Sequence, residues 1–206
     1  MKEFHYISDK TLDLATIRDL IRFETPLKLS KEAEQKIIDC RTYLDSKMQS
    51  NKDPIYGINT GFGSLYNIKI SNENLTKLQE NLMLSHACGT GDLVPNQIVK
   101  LMLFLKIKSL SYGHSGVQLK TVNRLIDFYN NDVIPIVYTQ GSLGASGDLA
   151  PLAHLSLPLI GEGEVWHQGK KISGKEICEK FNWEPVKLKS KEGLALLNGT
   201  QFMSAY

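Results

Sequence analysis

The residues with the most chemistry in this chain are Ala145, Ser146 and Gly147, set in the run Gly141-Ser142-Leu143-Gly144-Ala145-Ser146-Gly147-Asp148-Leu149. In a tightly bent loop the amide nitrogen of Gly147 can attack the carbonyl carbon of Ala145. Loss of two waters then leaves a five-membered ring with an exocyclic methylene derived from Ser146. Gly147 brings an unhindered nitrogen and the backbone freedom of a strained turn, Ser146 the β-hydroxyl that departs, and Ala145 a side chain small enough for the turn to close. The product, 4-methylidene-imidazol-5-one, is a strong electrophile made without a metal or an external cofactor. Taken alone, an Ala-Ser-Gly tripeptide is better read as a flexible turn capping a helix.

Three further stretches carry the argument past that reading. They are Tyr56-Gly57-Ile58-Asn59-Thr60-Gly61-Phe62-Gly63, Asn81-Leu82-Met83-Leu84-Ser85-His86-Ala87 and Glu192-Gly193-Leu194-Ala195-Leu196-Leu197-Asn198-Gly199-Thr200-Gln201. With the Ala-Ser-Gly loop, these four motifs from Tyr56 to Gln201 closely resemble, in order, the motifs of the aromatic amino acid ammonia-lyases. The resemblance implies an N-terminal portion of the mainly α, all-helical lyase fold, with long ordered loops and a small β-hairpin. It also implies the self-made ring of Ala145, Ser146 and Gly147 as the only cofactor.

Roles follow by the same resemblance. Removing a weakly acidic β-proton and expelling ammonia calls for an electrophile and a positioned base. Tyr56 would be the base, and a phenol of ordinary pKa near ~10 needs local charge or hydrogen bonding to act near neutrality. Gly57, Gly61 and Gly63 let its loop fold tightly. Asn198 would hydrogen-bond the ring or the substrate, its amide donating to the ring oxygen as charge develops there. His86, with Ser85 before it and Ala87 after it, matches the histidine-specific members and would read the substrate's ring. Gln201 and Gly61 would support the site. Asp148 would cap the next helix or polarise the cyclisation. Without the flanking patterns, Tyr56 reads equally as a buried core tyrosine, Asn198 as a helix-kink residue and His86 as a capping or core histidine.

The activity so implied is elimination of ammonia from L-histidine to give urocanate, a step of histidine catabolism, in a homotetramer whose subunits share active sites. A tyrosine or phenylalanine ammonia-lyase or an aminomutase of the same family is the alternative. From a different class come an anion-binding module and a non-catalytic structural piece. A glycine-rich loop before a helix can hold phosphate on its amides, but Gly-x-Gly-x-x-Gly and the Walker lysine are missing. Gly144-Ala145-Ser146-Gly147 falls one residue short of a nucleophile elbow. The five histidines show no metal-ligand spacing, so no metal is expected.

Composition narrows the classes. With 206 residues, 42% hydrophobic and 22% charged, the chain can bury one core, and its formal net charge of +2 gives no reason to expect nucleic acid or an acidic membrane as partner. No apolar run approaches the ~20 residues that span a bilayer, and Met1 to His5 lack a signal-peptide core, so a cytoplasmic protein is expected. Cys40, Cys88 and Cys178 are far apart and odd in number, which predicts reduced thiols.

The elements that must position these residues read as mostly helical. Helices are predicted over Leu12 to Ile21, from Ser30 as cap to about Met48, from a Ser71 or Asn72 cap to His86, from Pro95 through the all-round apolar Ile98 to Leu110, and over Val117 to Tyr129. Pro54 to Ile70 reads as a long ordered loop. Val133 to Tyr138 is extended and leads into the Ala-Ser-Gly loop, a helix runs from Asp148 to about Leu159, and Gln168-Gly169 turns a hairpin between Glu164–His167 and Lys170–Ile172. Lys187, Lys189 and Lys191 mark a solvated strand or loop. Lys191 to Tyr206 reads as an apolar helix that stops without a cap. On this ground residues 1–206 form one N-terminal lyase portion, inactive on its own, with the C-terminal portion absent.

Overall fold

The computed structural model describes residues 3–50, 53–62, 66, 68, 70–71, 74–141, 144 and 147–206. Ala145, Ser146 and Gly63 lie outside the described residues, as does Asn72. The fold is mainly helical. Its centre is α4 (Asn96–Ser111), whose Val99, Met102, Leu103, Phe104, Ile107 and Leu110 are buried. A helix apolar on every side can only sit inside, and each such side chain withdrawn from water contributes about 1.5–3 kcal/mol. Around it pack α1 (Leu14–Arg22), α2 (Lys31–Ser50) and α5 (Leu119–Asn130). The one-sided apolar pattern of α5 buries Val122, Leu125, Ile126 and Tyr129. Ser30 caps α2 as expected, its hydroxyl accepting from the Ala33 amide at 3.2 Å.

Three small sheets complete the body. β1 (His5–Ile7) pairs in parallel with β2 (Leu27–Leu29), so Ile7, Leu27 and Leu29 face the core while Tyr6 and Lys28 face out. β3 (Thr90–Leu93) pairs antiparallel with β5 (Tyr138–Gln140), Leu93 opposite Tyr138. The strand β4 (Ile134–Pro135) pairs with β6 (Glu164–His167), which forms the expected hairpin with β7 (Lys170–Ser173). Strands of three or four residues carry too few alternations to stand out in the sequence, and β1, β2 and β3 were not expected from it.

The remaining helices carry the motifs. α3 (Leu75–His86) begins after Asn74 rather than at Ser71, whose hydroxyl instead accepts from the Asn74 side-chain Nδ2 at 3.0 Å. α6 (Leu149–Ser156) runs into a 3₁₀ turn, Leu157–Ile160, and α7 (Gly174–Lys180) starts at a Ser173–Glu176 capping box. The stretch from Lys191 is not one helix. It divides into α8 (Glu192–Leu197) and α9 (Gln201–Ala205) because Asn198 turns to an extended conformation and Gly199 takes a φ of +136°. Among the described residues no helix is long and apolar enough to cross a membrane.

Candidate active site

The motifs meet on α8. Gly57, beside Tyr56, is buried with φ +72°, and a Cβ there would lie 2.6 Å from the Cδ2 of Leu194. Glycine is therefore what lets the tyrosine loop rest on α8. The loop is further knotted by Asn59, whose side chain accepts from the Ile55 amide at 2.6 Å and donates to the Asp53 carbonyl at 3.0 Å. Gly61 donates to the Ile68 carbonyl at 3.0 Å. Tyr56 itself projects outward, 57% exposed, with the ring of Phe62 edge-on at 6.0 Å. Its phenol is thus held by a rigid backbone and open to a ligand.

α3 packs on the same short helix. The buried Gln79 accepts from the Gly193 amide at 2.9 Å, fixing α8 about two helical turns along α3 from His86. His86, the last residue of α3, has its Nδ1 2.8 Å from the Leu82 carbonyl. A carbonyl only accepts, so Nδ1 carries a hydrogen, and in the neutral ring Nε2 is then the acceptor. The chain beyond His86 is secured at two points. β3 pairs with β5, the strand that feeds Gly141, and the Gly89 amide donates to His154 Nε2 at 3.0 Å from α6. Burial holds His154 below the usual imidazole range, in keeping with a neutral acceptor, and Tyr138 stands edge-on to it at 5.1 Å.

The Ala-Ser-Gly loop meets the asparagine motif backbone to backbone. Gly147 donates to the Gly144 carbonyl at 3.1 Å and bridges in parallel to Gly199. The Asp148 amide donates to the Gly199 carbonyl at 2.9 Å. Gly147 has φ +105°, and a Cβ on it would lie 2.1 Å from the Gly199 oxygen. No side chain fits between the two glycines. Asp148 is buried, and its carboxylate does not cap α6; it accepts from the Met203 amide at 3.0 Å and so caps α9. Gln201 opens α9 with its side chain close against Gly199, its Oε1 buried and without a partner among the described residues.

Beneath Asn198 lies a residue that sequence patterning missed. Lys106, on α4, is 1% exposed, and its Nζ donates to the carbonyls of Asn198 at 2.8 Å and Ala195 at 3.3 Å. Burial pushes its ammonium down to about 7, against the opposing pull of the Asp148 carboxylate. The signal was a lysine inside a helix apolar on all sides. Glu192 was quoted as part of a motif without a role. It is fully buried, with four donors: the Gln118 amide and side chain, the Thr121 hydroxyl and the Lys189 amide, at 2.5–2.9 Å. That set fills a carboxylate's acceptor sites and welds α8 to α5.

A short helix on which a tyrosine loop and a histidine-ended helix pack, followed at once by the glycine that meets Gly147, defines the class. The chain belongs to the aromatic amino acid lyases: the family model described as "Aromatic amino acid lyase" matches residues 12–206. Within that family it is 48% identical over 205 residues to a histidine ammonia-lyase of Legionella pneumophila (strain Paris), covering 100% of this chain and 40% of that protein. It is 44% identical over 199 residues to one of Deinococcus radiodurans, covering 97% and 38%. Among solved structures, histidine ammonia-lyase from Trypanosoma cruzi superposes with a TM-score of 0.88 at 33% identity, over 98% of this chain and 39% of that one. Phenylalanine aminomutase from Pantoea agglomerans gives 0.90 at 33%, over 98% and 38%. The chain thus spans about two fifths of the length of the curated relatives it matches.

Proposed function

We propose that this chain supplies the electrophile loop, the base and the ring-reading histidine of a carbon–nitrogen lyase that converts L-histidine to urocanate and ammonia. The complete protein would act as a cytoplasmic homotetramer in histidine catabolism. One observation carries the proposal: Gly147 is pressed on Gly199 with no room for a side chain, the cradle a cyclised Ala145-Ser146-Gly147 requires. The ring, when formed, supplies an electrophilic methylidene carbon. This chain's own residues do the rest. Tyr56 Oη, held outward by the knotted loop, takes the substrate's β-proton. His86 Nε2, left as acceptor by the Leu82 bond, receives the N–H of the substrate imidazole. Asn198 and Gln201 would face the ring, with the Asn198 carbonyl held by Lys106 and Gly199 between them held by the Asp148 amide. The names of the relatives favour histidine over tyrosine or phenylalanine.

The test is Ser146→Ala in the complete protein that contains this chain. Turnover of histidine to urocanate should vanish while the circular dichroism spectrum stays that of wild type, and intact mass should rise by the two waters that are no longer lost, less the missing oxygen. A folded Ser146→Ala protein that still releases urocanate refutes the proposal.

A further inference from the structure

Lys106 is expensive. At 1% exposure its nitrogen forfeits its hydration, which is why burial lowers its ammonium to about 7. Methionine would fill the same volume without that cost. What the amine does in return is specific: its donors go to the carbonyls of Ala195 and Asn198, the two that open the break between α8 and α9. Neutral or charged, Nζ has at least two hydrogens, so both contacts survive loss of the proton.

The break matters because of what it presses on. Gly199 follows Asn198 directly, and its carbonyl accepts from Asp148 while standing against Gly147. Two backbones at that distance, with φ of +105° and +136°, stay together only if neighbouring structure over-determines them. Asp148 holds Gly199 from the loop's side. Lys106 holds the preceding Asn198 carbonyl from α4.

We infer that Lys106 is a positioning residue for ring closure: by fixing the Asn198 carbonyl it holds Gly199 against Gly147 and so keeps the Gly147 amide in place. The inference rests on the ring-forming function proposed above. In closure the Gly147 nitrogen bonds to the Ala145 carbonyl carbon. One water carries off that carbonyl's oxygen with the amide hydrogens of Gly147 and Ser146, and a second carries off the Ser146 hydroxyl with its α-hydrogen. No oxidant or reductant is needed. Lys106 touches none of the reacting atoms; its effect is on how often the Gly147 amide is in place for attack.

The experiment follows intact mass against time in the complete protein, from the earliest point after synthesis. Wild type should become lighter by two waters. Lys106→Met should do so ~10- to 100-fold more slowly, the scale of one lost charge-assisted hydrogen bond, with a native circular dichroism spectrum. Lys106→Arg, which keeps the donors, should restore most of the rate; a purely space-filling lysine would show the reverse order, with methionine better than arginine. If Lys106→Met does not fold, the smaller Lys106→Gln takes its place, with an intermediate rate expected. A folded Met or Gln variant that cyclises at the wild-type rate overturns the inference, as does failure of both to fold, which would make Lys106 a core residue only. A wild-type protein that never loses the waters refutes the ring-forming function itself, and the inference with it.

Discussion

Replacing Gly57 by alanine tests whether the tyrosine loop is truly seated on α8. The substitution has two separable costs. Gly57 sits at φ +72°, where an L side chain loses about 1–2 kcal/mol. Its new Cβ would meet Leu194 Cδ2 at 2.6 Å, an overpacking worth about 1–3 kcal/mol. The contact atom is the end of a side chain that can turn away in part, and alanine also restricts the unfolded chain by about 0.4–1 kcal/mol. A net loss of about 2–3 kcal/mol is expected, a large share of a domain's usual 5–15 kcal/mol. Truncating the partner isolates the packing part: in the double variant with Leu194→Ala the clash disappears and only the backbone cost remains. Urea unfolding, followed by the fluorescence of Trp166 and Trp183 and by circular dichroism, should give a coupling of about 1–3 kcal/mol opposing the sum of the single effects. Additivity within about 0.5 kcal/mol would mean that the loop does not rest on Leu194, and the seating of Tyr56 described here would be wrong.

Other outcomes follow from the same geometry. In the complete protein, Tyr56→Phe should lower kcat by at least ~100-fold with little change in KM, the scale of general-base catalysis; a change confined to KM would make Tyr56 a binding residue. His86→Phe removes the Nε2 acceptor, so kcat/KM should fall for histidine and rise, relatively, for phenylalanine; an unchanged ratio would place selectivity in residues outside this chain. His154 gives a pH dependence. Its folded pKa lies below the usual 6.5, so its contribution is complete above about pH 6.5 and is lost as pH falls through the lowered folded value. The urea midpoint of wild type should drop more steeply than that of His154→Gln on acidification, and parallel profiles would refute the role of the Gly89 contact.

Part of this geometry was legible because glycines announce close backbone approach: Gly57 against Leu194 and Gly147 against Gly199 are places where no side chain fits. The roles given to Ser146, Tyr56 and Asn198 came from the resemblance of their motifs. α4 was legible from apolar content alone. What escaped notice depends on three dimensions. Lys106 sits in a run of apolar residues, and no spacing rule says that its nitrogen meets the Asn198 carbonyl 92 residues on. Asp148 stands at the head of α6, yet its carboxylate turns to Met203, because the α9 amides lie closer to it than local rules can anticipate. The single helix expected from Lys191 failed at Asn198-Gly199, a pair of low helix propensity, where Lys106 and Asp148 take up the carbonyls that the break leaves free.

The contact between Gly147 and Gly199 also sets an order of events. During synthesis Gly147 leaves the ribosome first, and at ~5–20 residues per second Gly199 follows it seconds later. Until then Gly147 has nothing to lean on. On the proposed function, ring formation at Ser146 would therefore wait for tertiary structure, and the electrophile would be absent from the nascent chain, when its own cysteines are most exposed. The two glycines would then act as a clock as well as a cradle.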